Sequence, residues 1–228
     1  MIFADRAAAG RVLARRLIAS KGSGAVVLGV PRAGVPVAFE VAETLELPLD
    51  VIVMCGLAAP GRPGLTLGAV GEDGASVVDE DAVRAGRVSA DELAEACRKA
   101  GAEVVRRART LRDGWDRAML SDRTAIVVDD GTVTGATAGA ACRIARKLGA
   151  RRVVLAVPVG SREAVAAVGG AADEIVCLAR PHPFLGVGRY YGDVAPTTDV
   201  DVVRLLIRAG RRCRAVGSAS RAALASGQ

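Results

Sequence analysis

Two adjacent carboxylates, Asp129 and Asp130, stand between an apolar run, Ala125 to Val128, and a loop of Gly and Thr residues. The loop reads Gly131-Thr132-Val133-Thr134-Gly135-Ala136-Thr137 and leads into an Ala-rich helical stretch. An apolar strand entering such a loop places the carboxylates at its C-terminal edge, where ligands sit in open α/β sheets. Gly131 and Gly135 let the backbone approach a ligand closely. Free N–H groups at the start of the following helix favour an anion, above all phosphate. Carboxylates accept hydrogen bonds from hydroxyls. The combination therefore suits a ligand with both hydroxyls and phosphate, such as a phosphorylated sugar.

Two familiar phosphate motifs fail on spacing. A Walker A loop needs a Lys after its last Gly, and none follows Gly135. A dinucleotide fingerprint needs Gly-x-Gly-x-x-Gly, whereas Gly131, Gly135 and Gly139 are four apart. A second Gly-containing turn, Pro31-Arg32-Ala33-Gly34, also follows an apolar run. Its backbone N–H groups suit an anion, and Arg32 adds a fixed charge with a fork of donors.

The elements that must position these loops alternate along the chain. Helical patterns cover 6–19, 37–47, 161–168 and 200–209. Apolar strands are expected at 25–30, 49–54, 152–158 and 174–178. Residues 65–70 and 75–78 read as a hairpin joined by Gly71-Glu72-Asp73-Gly74. Ser89 and Glu92 form a capping box that opens a long charged helix to about Arg112. Its charges read as a solvated face laced with i,i+4 pairs. The strand at 125–129 and helix at 135–148 complete the set. Strands separated by helices predict an α/β fold, a mostly parallel sheet covered on both faces, with a small hairpin added.

The 228 residues suit one domain, expected over 1–209, followed by a basic, Ser/Ala-rich, mobile tail at 210–228. Aromatic residues are only 3% of the chain, so Val, Leu, Ile and Ala must fill the core. The net charge is +6, but the Arg residues are scattered and mixed with acids, which argues against a nucleic-acid partner. The five cysteines, Cys55, Cys97, Cys142, Cys177 and Cys213, are far apart and form no Cys-x-x-Cys. They read as buried thiols of a cytoplasmic protein, with no secretory leader and no membrane-spanning run. His182 is the one histidine, and no Gly-x-Ser-x-Gly elbow occurs. A His/Cys zinc site and a Ser-His-Asp triad are therefore disfavoured.

Val127-Val128-Asp129-Asp130-Gly131-Thr132-Val133-Thr134-Gly135-Ala136-Thr137 resembles the signature of type I phosphoribosyltransferases. Leu28 to Ala38 is similar to the loop that holds pyrophosphate in that family. Phe3-Ala-Asp-Arg6, Gly68 to Gly74 and Val187 to Asp193 resemble a subgroup whose acceptor is unassigned. There are departures. Met54-Cys55-Gly56-Leu57 stands where the subgroup carries a basic pair, Ala33 replaces a Gly, and Tyr191-Gly192-Asp193-Val194 differs from the usual hood pattern.

The resemblance implies that 5-phosphoribosyl 1-pyrophosphate (PRPP) is the donor. Its 5-phosphate would lie on Gly131, Thr132, Val133, Thr134, Gly135, Ala136 and Thr137. Asp129 and Asp130 would be the catalytic acids facing the ribose hydroxyls, directly or through Mg²⁺-bound water. Pro31, Arg32, Ala33 and Gly34 would hold pyrophosphate. A hood at 180–199 would hold the acceptor, with Phe184, Tyr190 and Tyr191 available to stack on a base. The loop from Pro60 to Leu67, with Arg62, would close over the site. Glu72 and Asp73 are candidates for a general base by loop position only. Family members also imply a homodimer. A PRPP-binding regulatory module and a hydrolytic or phosphorolytic relative remain open alternatives.

Overall fold

The computed structural model of the protein describes residues 2–62, 64–112 and 116–210. Along the chain run α1 (Arg6–Arg16), β1 (Val26–Gly29), α2 (Gly34–Leu45), β2 (Leu49–Val51), β3 (Met54–Ala58), β4 (Thr66–Gly71) and β5 (Ser76–Val78). There follow α3 (Glu80–Ala85), α4 (Ala90–Arg112), β6 (Thr124–Val128), α5 (Ala136–Lys147), β7 (Arg152–Val159), α6 (Arg162–Ala167) and β8 (Glu174–Ala179). A last helix, α7, covers 199–210. The expected tail, with Cys213, lies outside the described residues, as does Pro63 in the expected lid loop.

Five strands form a parallel sheet in the order β2-β1-β6-β7-β8. The uninterrupted apolar strands are explained by helices on both faces. Val27, Ile126 and Val128 face Leu13 of α1 and Val37, Val41 and Leu45 of α2. Their neighbours Val26, Leu28, Ala125 and Val127 face Ala138, Ala141 and Ile144 of α5. Strand alternation thus divides one run of Val, Ile, Leu and Ala between two cores.

The chain leaves β1 through α2 towards β2, and leaves β6 through α5 towards β7 on the other side. β1 and β6 are adjacent, with Gly29 opposite Val128. A crevice opens at such a reversal of winding, beyond the carboxyl ends of the two strands. The two candidate anion loops leave the sheet here, side by side.

The expected strand 49–54 is divided in the structure. Leu49–Val51 joins the parallel sheet, and Met54–Ala58 begins a separate antiparallel sheet in the order β3-β4-β5. Between them Ile52 is buried in the core under α5, and Val53 in the core between the second sheet and α4. An apolar run that crosses between two cores carries no break in hydropathy, so its division was not legible. The expected hairpin is β4–β5, with a tight turn at Glu72–Gly74. The capping box is formed. The Ser89 N–H donates to Glu92 at 2.8 Å, and the Glu92 N–H to Ser89 Oγ at 3.2 Å. The short α3 was not anticipated, although Asp79 caps it by accepting from the Ala82 N–H at 2.9 Å.

The four described cysteines are free thiols. Among the described residues, no helix is long and apolar enough to cross a membrane.

Candidate active site

The two loops meet at their backbones. The Val30 N–H donates to the Val128 carbonyl at 2.9 Å, extending the β1–β6 pairing into the loops. The Pro31–Arg32 peptide is cis. Gly34 then packs directly on the acidic pair. A Cβ at Gly34 would lie 2.7 Å from the Val128 carbonyl oxygen, 2.9 Å from Asp129 Cα and 3.0 Å from Asp129 Oδ1. Backbone atoms cannot yield to such a contact without moving a loop. Gly34→Ala is therefore expected to destabilise the fold by about 1–3 kcal/mol, read as a lower urea midpoint with an unchanged slope. A midpoint equal to the wild type would show that the loops are not held this closely.

The loop after the acids is braced from below. Thr132 is buried; its N–H donates to Val159 at 3.0 Å, and its carbonyl accepts from the Ser161 N–H at 3.0 Å. Its backbone therefore supports the loop. Gly135 has φ 82°, and a Cβ there would lie 2.6 Å from the Ala164 carbonyl oxygen. It opens α5 without a side-chain cap. The Ala136 N–H has only a long 3.4 Å contact to Thr134 Oγ1. Val133, Thr134, Ala136 and Thr137 are exposed. The start of α5 thus offers unspent N–H groups and the Thr137 hydroxyl to an anion. α2 lacks a side-chain cap at Ala33 beside Arg32, but its Gly34 and Val35 N–H groups donate to the Val30 and Arg32 carbonyls at 3.1 and 3.2 Å.

The two carboxylates differ sharply. Asp130 is 9% exposed. Its Oδ2 accepts from Nε of Arg6 at 3.0 Å and lies 3.0 Å from Nη2 in an ion pair. Its carbonyl accepts from the Tyr191 hydroxyl at 2.5 Å. Asp129 is half-buried, and its Oδ1 accepts from the Asp130 N–H at 2.8 Å. Burial, and next the Asp130 charge, push the Asp129 carboxyl well above the usual carboxylate range. Burial and the Asp130 carboxylate likewise push the Tyr191 phenol upward. Among the described residues, no three His, Cys, Asp or Glu side chains gather as a metal cage. One carboxylate without a cation and a second engaged by Arg6 fit a Mg²⁺ ion held largely by water and ligand oxygens, which is this ion's habit beside phosphates.

A cleft of about 1220 Å³ extends from the loops across the second sheet. Pro31, Arg32 and Ala33 line it on one side, Ala136, Thr137 and Arg143 on another, and Met54, Gly56 and Thr66 elsewhere. Met54 and Gly56 make a neutral wall where the family resemblance implies a basic pair. Positive charge comes instead from Arg106 and Arg107 of α4 and Arg143 of α5. Sequence reasoning assigned the α4 arginines to a solvated face. Both do bond to Glu103, at 2.8 and 2.6 Å. Helical periodicity shows which residues share a face, but not that this face borders a cleft. Arg32 Nε pairs with Asp199 Oδ1 at 3.0 Å, and Asp199 lines the same cleft with Pro196 and Thr197.

Other expected residues lie elsewhere. Tyr190 and Tyr191 are buried with Phe3, Ala9 and Val159, and Phe184 packs on Tyr190 with ring centres 5.3 Å apart. None of the three lines the cleft; of the expected hood, Pro196, Thr197 and Asp199 do. The aromatic cluster was legible, but whether its rings were spent on one another was not. Glu72 bonds Arg112 at 2.7 Å and Asp73 bonds Arg117 at 2.6 Å, both away from the cleft lining. Arg62 lies 3.7 Å from Glu92.

The phosphoribosyl transferase domain model matches residues 2–179. A Mycobacterium tuberculosis protein named "Putative phosphoribosyl transferase" is 49% identical over 222 residues, covering 97% of this chain and 50% of that protein. The chain spans about half the length of the curated relatives it matches. The crystal structure of TT1426 from Thermus thermophilus aligns with a TM-score of 0.82 at 40% identity, covering 91% of this chain and 99% of that one.

Proposed function

Because the chain belongs to the phosphoribosyl transferase family, we propose that it transfers the phosphoribosyl group of PRPP to a nitrogen nucleophile, most simply a nitrogenous base, and releases pyrophosphate. One observation carries this reading. The uncapped start of α5 and the Arg32 turn before α2 flank an acidic pair at the switch point of a parallel sheet. PRPP has matching parts: anions at both ends and hydroxyls between them. The 5-phosphate lies on the start of α5, the ribose at the acids, and the pyrophosphate towards Arg32.

In the reaction the bond from C1 to the pyrophosphate oxygen breaks and a bond from C1 to nitrogen forms, with the nitrogen's proton lost to solvent. Positive charge develops on the ribose ring, and the Asp129 carboxylate favours it. Arg32 and the backbone N–H groups of the turn before α2, at Arg32 and Ala33, favour the leaving anion. The residues act by position and electrostatics. Asp129 would hold Mg²⁺ through water and ligand oxygens, and the ion would supply neutralising charge for the phosphates.

A second reading, a PRPP-binding regulatory module with little turnover, is favoured by the neutral wall at Met54 and Gly56. Pyrophosphate release from Mg²⁺-PRPP with a panel of bases separates the two. Release that requires one base supports transfer. Binding without release supports the module, and release without any base indicates hydrolysis.

Arg32 is paired with Asp199, so bound pyrophosphate must compete with that carboxylate. Asp199→Asn is expected to tighten Mg²⁺-pyrophosphate about threefold, the scale of an exposed pair, by calorimetric titration. Unchanged or weaker binding would place pyrophosphate away from Arg32.

A further inference from the structure

The sequence segments around Phe3 to Arg6 and Val187 to Asp193 have no role in the loops described above, yet the fold brings both to the acidic pair. The N–H groups of Ile2 and Phe3 donate to the Tyr190 carbonyl at 3.0 Å. The Gly192 N–H donates to Phe3, and the Asp193 N–H to Ala4, each at 2.9 Å. Phe3 packs on Tyr191 with ring centres 5.7 Å apart. Asp5 caps α1 by accepting from the Ala8 N–H at 2.6 Å. This clasp delivers Arg6, the first residue of α1, to Asp130.

Arg6 is held from three sides. Nε donates to Asp130 Oδ2, Nη2 forms an ion pair with the same oxygen, and Nη1 donates to the Ala195 carbonyl at 2.8 Å. The guanidinium carbon lies 6.0 Å from the centre of the Tyr191 ring. A guanidinium has five N–H donors; two are spent in hydrogen bonds here, leaving one on Nη1 and the two on Nη2. Arg6 lines the large cleft, and neither Asp129 nor Asp130 does. The Asp130 carboxylate is turned into the protein towards Arg6, and the group of this pair that meets the cleft is the guanidinium.

We propose that Arg6 is a ligand-binding residue of the ribose subsite: it fixes Asp130 and presents its remaining N–H donors to the ribose hydroxyls. The roles of the two acids then separate. Asp130 acts through Arg6, whereas Asp129 is not bonded to Arg6 and its Oδ1 accepts from the Asp130 N–H. The inference rests on the reading of PRPP as ligand. It accounts for a basic residue in the opening segment of the chain and for the burial of Tyr190 and Tyr191, whose backbone and rings hold the clasp together.

The test uses the full chain, with Arg6→Gln and Arg6→Lys variants titrated calorimetrically with Mg²⁺-PRPP and, separately, with Mg²⁺-pyrophosphate. Pyrophosphate lacks the ribose and reports the Arg32 loop alone. Arg6→Gln is expected to weaken PRPP at least about tenfold, as loss of charge-assisted donors does. Arg6→Lys, which keeps the charge but loses the fork, is expected to fall between Gln and wild type. Both should bind pyrophosphate as the wild type does. PRPP affinity within twofold of wild type in both variants would overturn the proposal. A parallel loss of both ligands would also overturn it, because that marks general damage to the site. If Arg6→Gln does not fold, a PRPP-selective loss in Arg6→Lys supports the assignment and its absence refutes it. A wild type that binds pyrophosphate but not PRPP would refute the PRPP reading itself.

Discussion

In an Asp129→Asn, Asp130→Asn double variant, PRPP is expected to lose its stabilising effect, and pyrophosphate release is expected to fall at least about 100-fold. A ligand at a hundred times its Kd stabilises the folded state by about 2.7 kcal/mol. In a domain of this size that is roughly 5–10 °C in Tm. A thermal-shift titration with and without Mg²⁺ reads it directly. An equal shift in wild type and double variant would remove the acidic pair from the site.

The single variants should move the stability of the unliganded protein in opposite directions. The Asp129 carboxyl is raised above its value in an unfolded chain. Its contribution is therefore fully present below the unfolded value and is lost as pH rises through the folded one. As pH rises, charging this half-buried group beside Asp130 opposes folding. Asn keeps an oxygen for the Asp130 N–H without that charge. Asp129→Asn is expected to raise Tm by about 2–4 °C, the effect of about 1 kcal/mol. Asp130→Asn leaves Arg6 without its ionic partner, at a site where the two side chains are 16% and 13% exposed. It is expected to cost about 2–3 kcal/mol. Shifts of the same sign in both variants would contradict this division.

The largest effect on stability is expected away from the cleft, at Arg112. This buried side chain pairs with Asp50 and with Glu72, and its Nη2 also donates to the Val51 carbonyl at 3.0 Å. Burial pulls the guanidinium down, but the Glu72 bonds and the Asp50 charge outweigh it and raise it overall. Asp50 is held further by the N–H groups of Val51 and Ala118, each at 2.7 Å. The cluster ties the end of α4 to β2 and to the β4–β5 turn. Arg112→Met would strand two buried carboxylates and is expected to cost about 3–5 kcal/mol, measured by urea unfolding. Replacing all three charges with apolar residues should recover most of that loss, because it removes the uncompensated charges. A cost below about 1 kcal/mol for Arg112→Met would show that water reaches the cluster.

Much of the sheet and both anion loops were legible in the sequence for local reasons. Continuous apolar runs ending in Gly and Asp, with Ala-rich helical stretches after them, specify strand, loop and helix within about fifteen residues. The capping box at Ser89 and the hairpin around Glu72 are similarly short-range. The Asp-capped α3 left a signal too short to separate from a turn. The break between β2 and β3 left none, because residues on either side are equally apolar.

What the sequence determined by itself is therefore the set of local parts: a parallel α/β layer, two Gly-containing loops that each lead into a helix, and an acidic pair at a strand end. Tertiary structure alone decided how the parts are paired. Arg6 reaches Asp130 across 124 positions, and Arg112 reaches Glu72 across 40. Those pairings separate one acid from the other, spend Glu72 on a buried cation, turn Tyr190 and Tyr191 inward, and bring α4 arginines to a cleft whose β3 wall is neutral. Periodicity and spacing constrain neighbours along a helix or strand. They carry no information on which distant charge will neutralise a buried one, because that depends on where the sheet's winding brings the chain ends together.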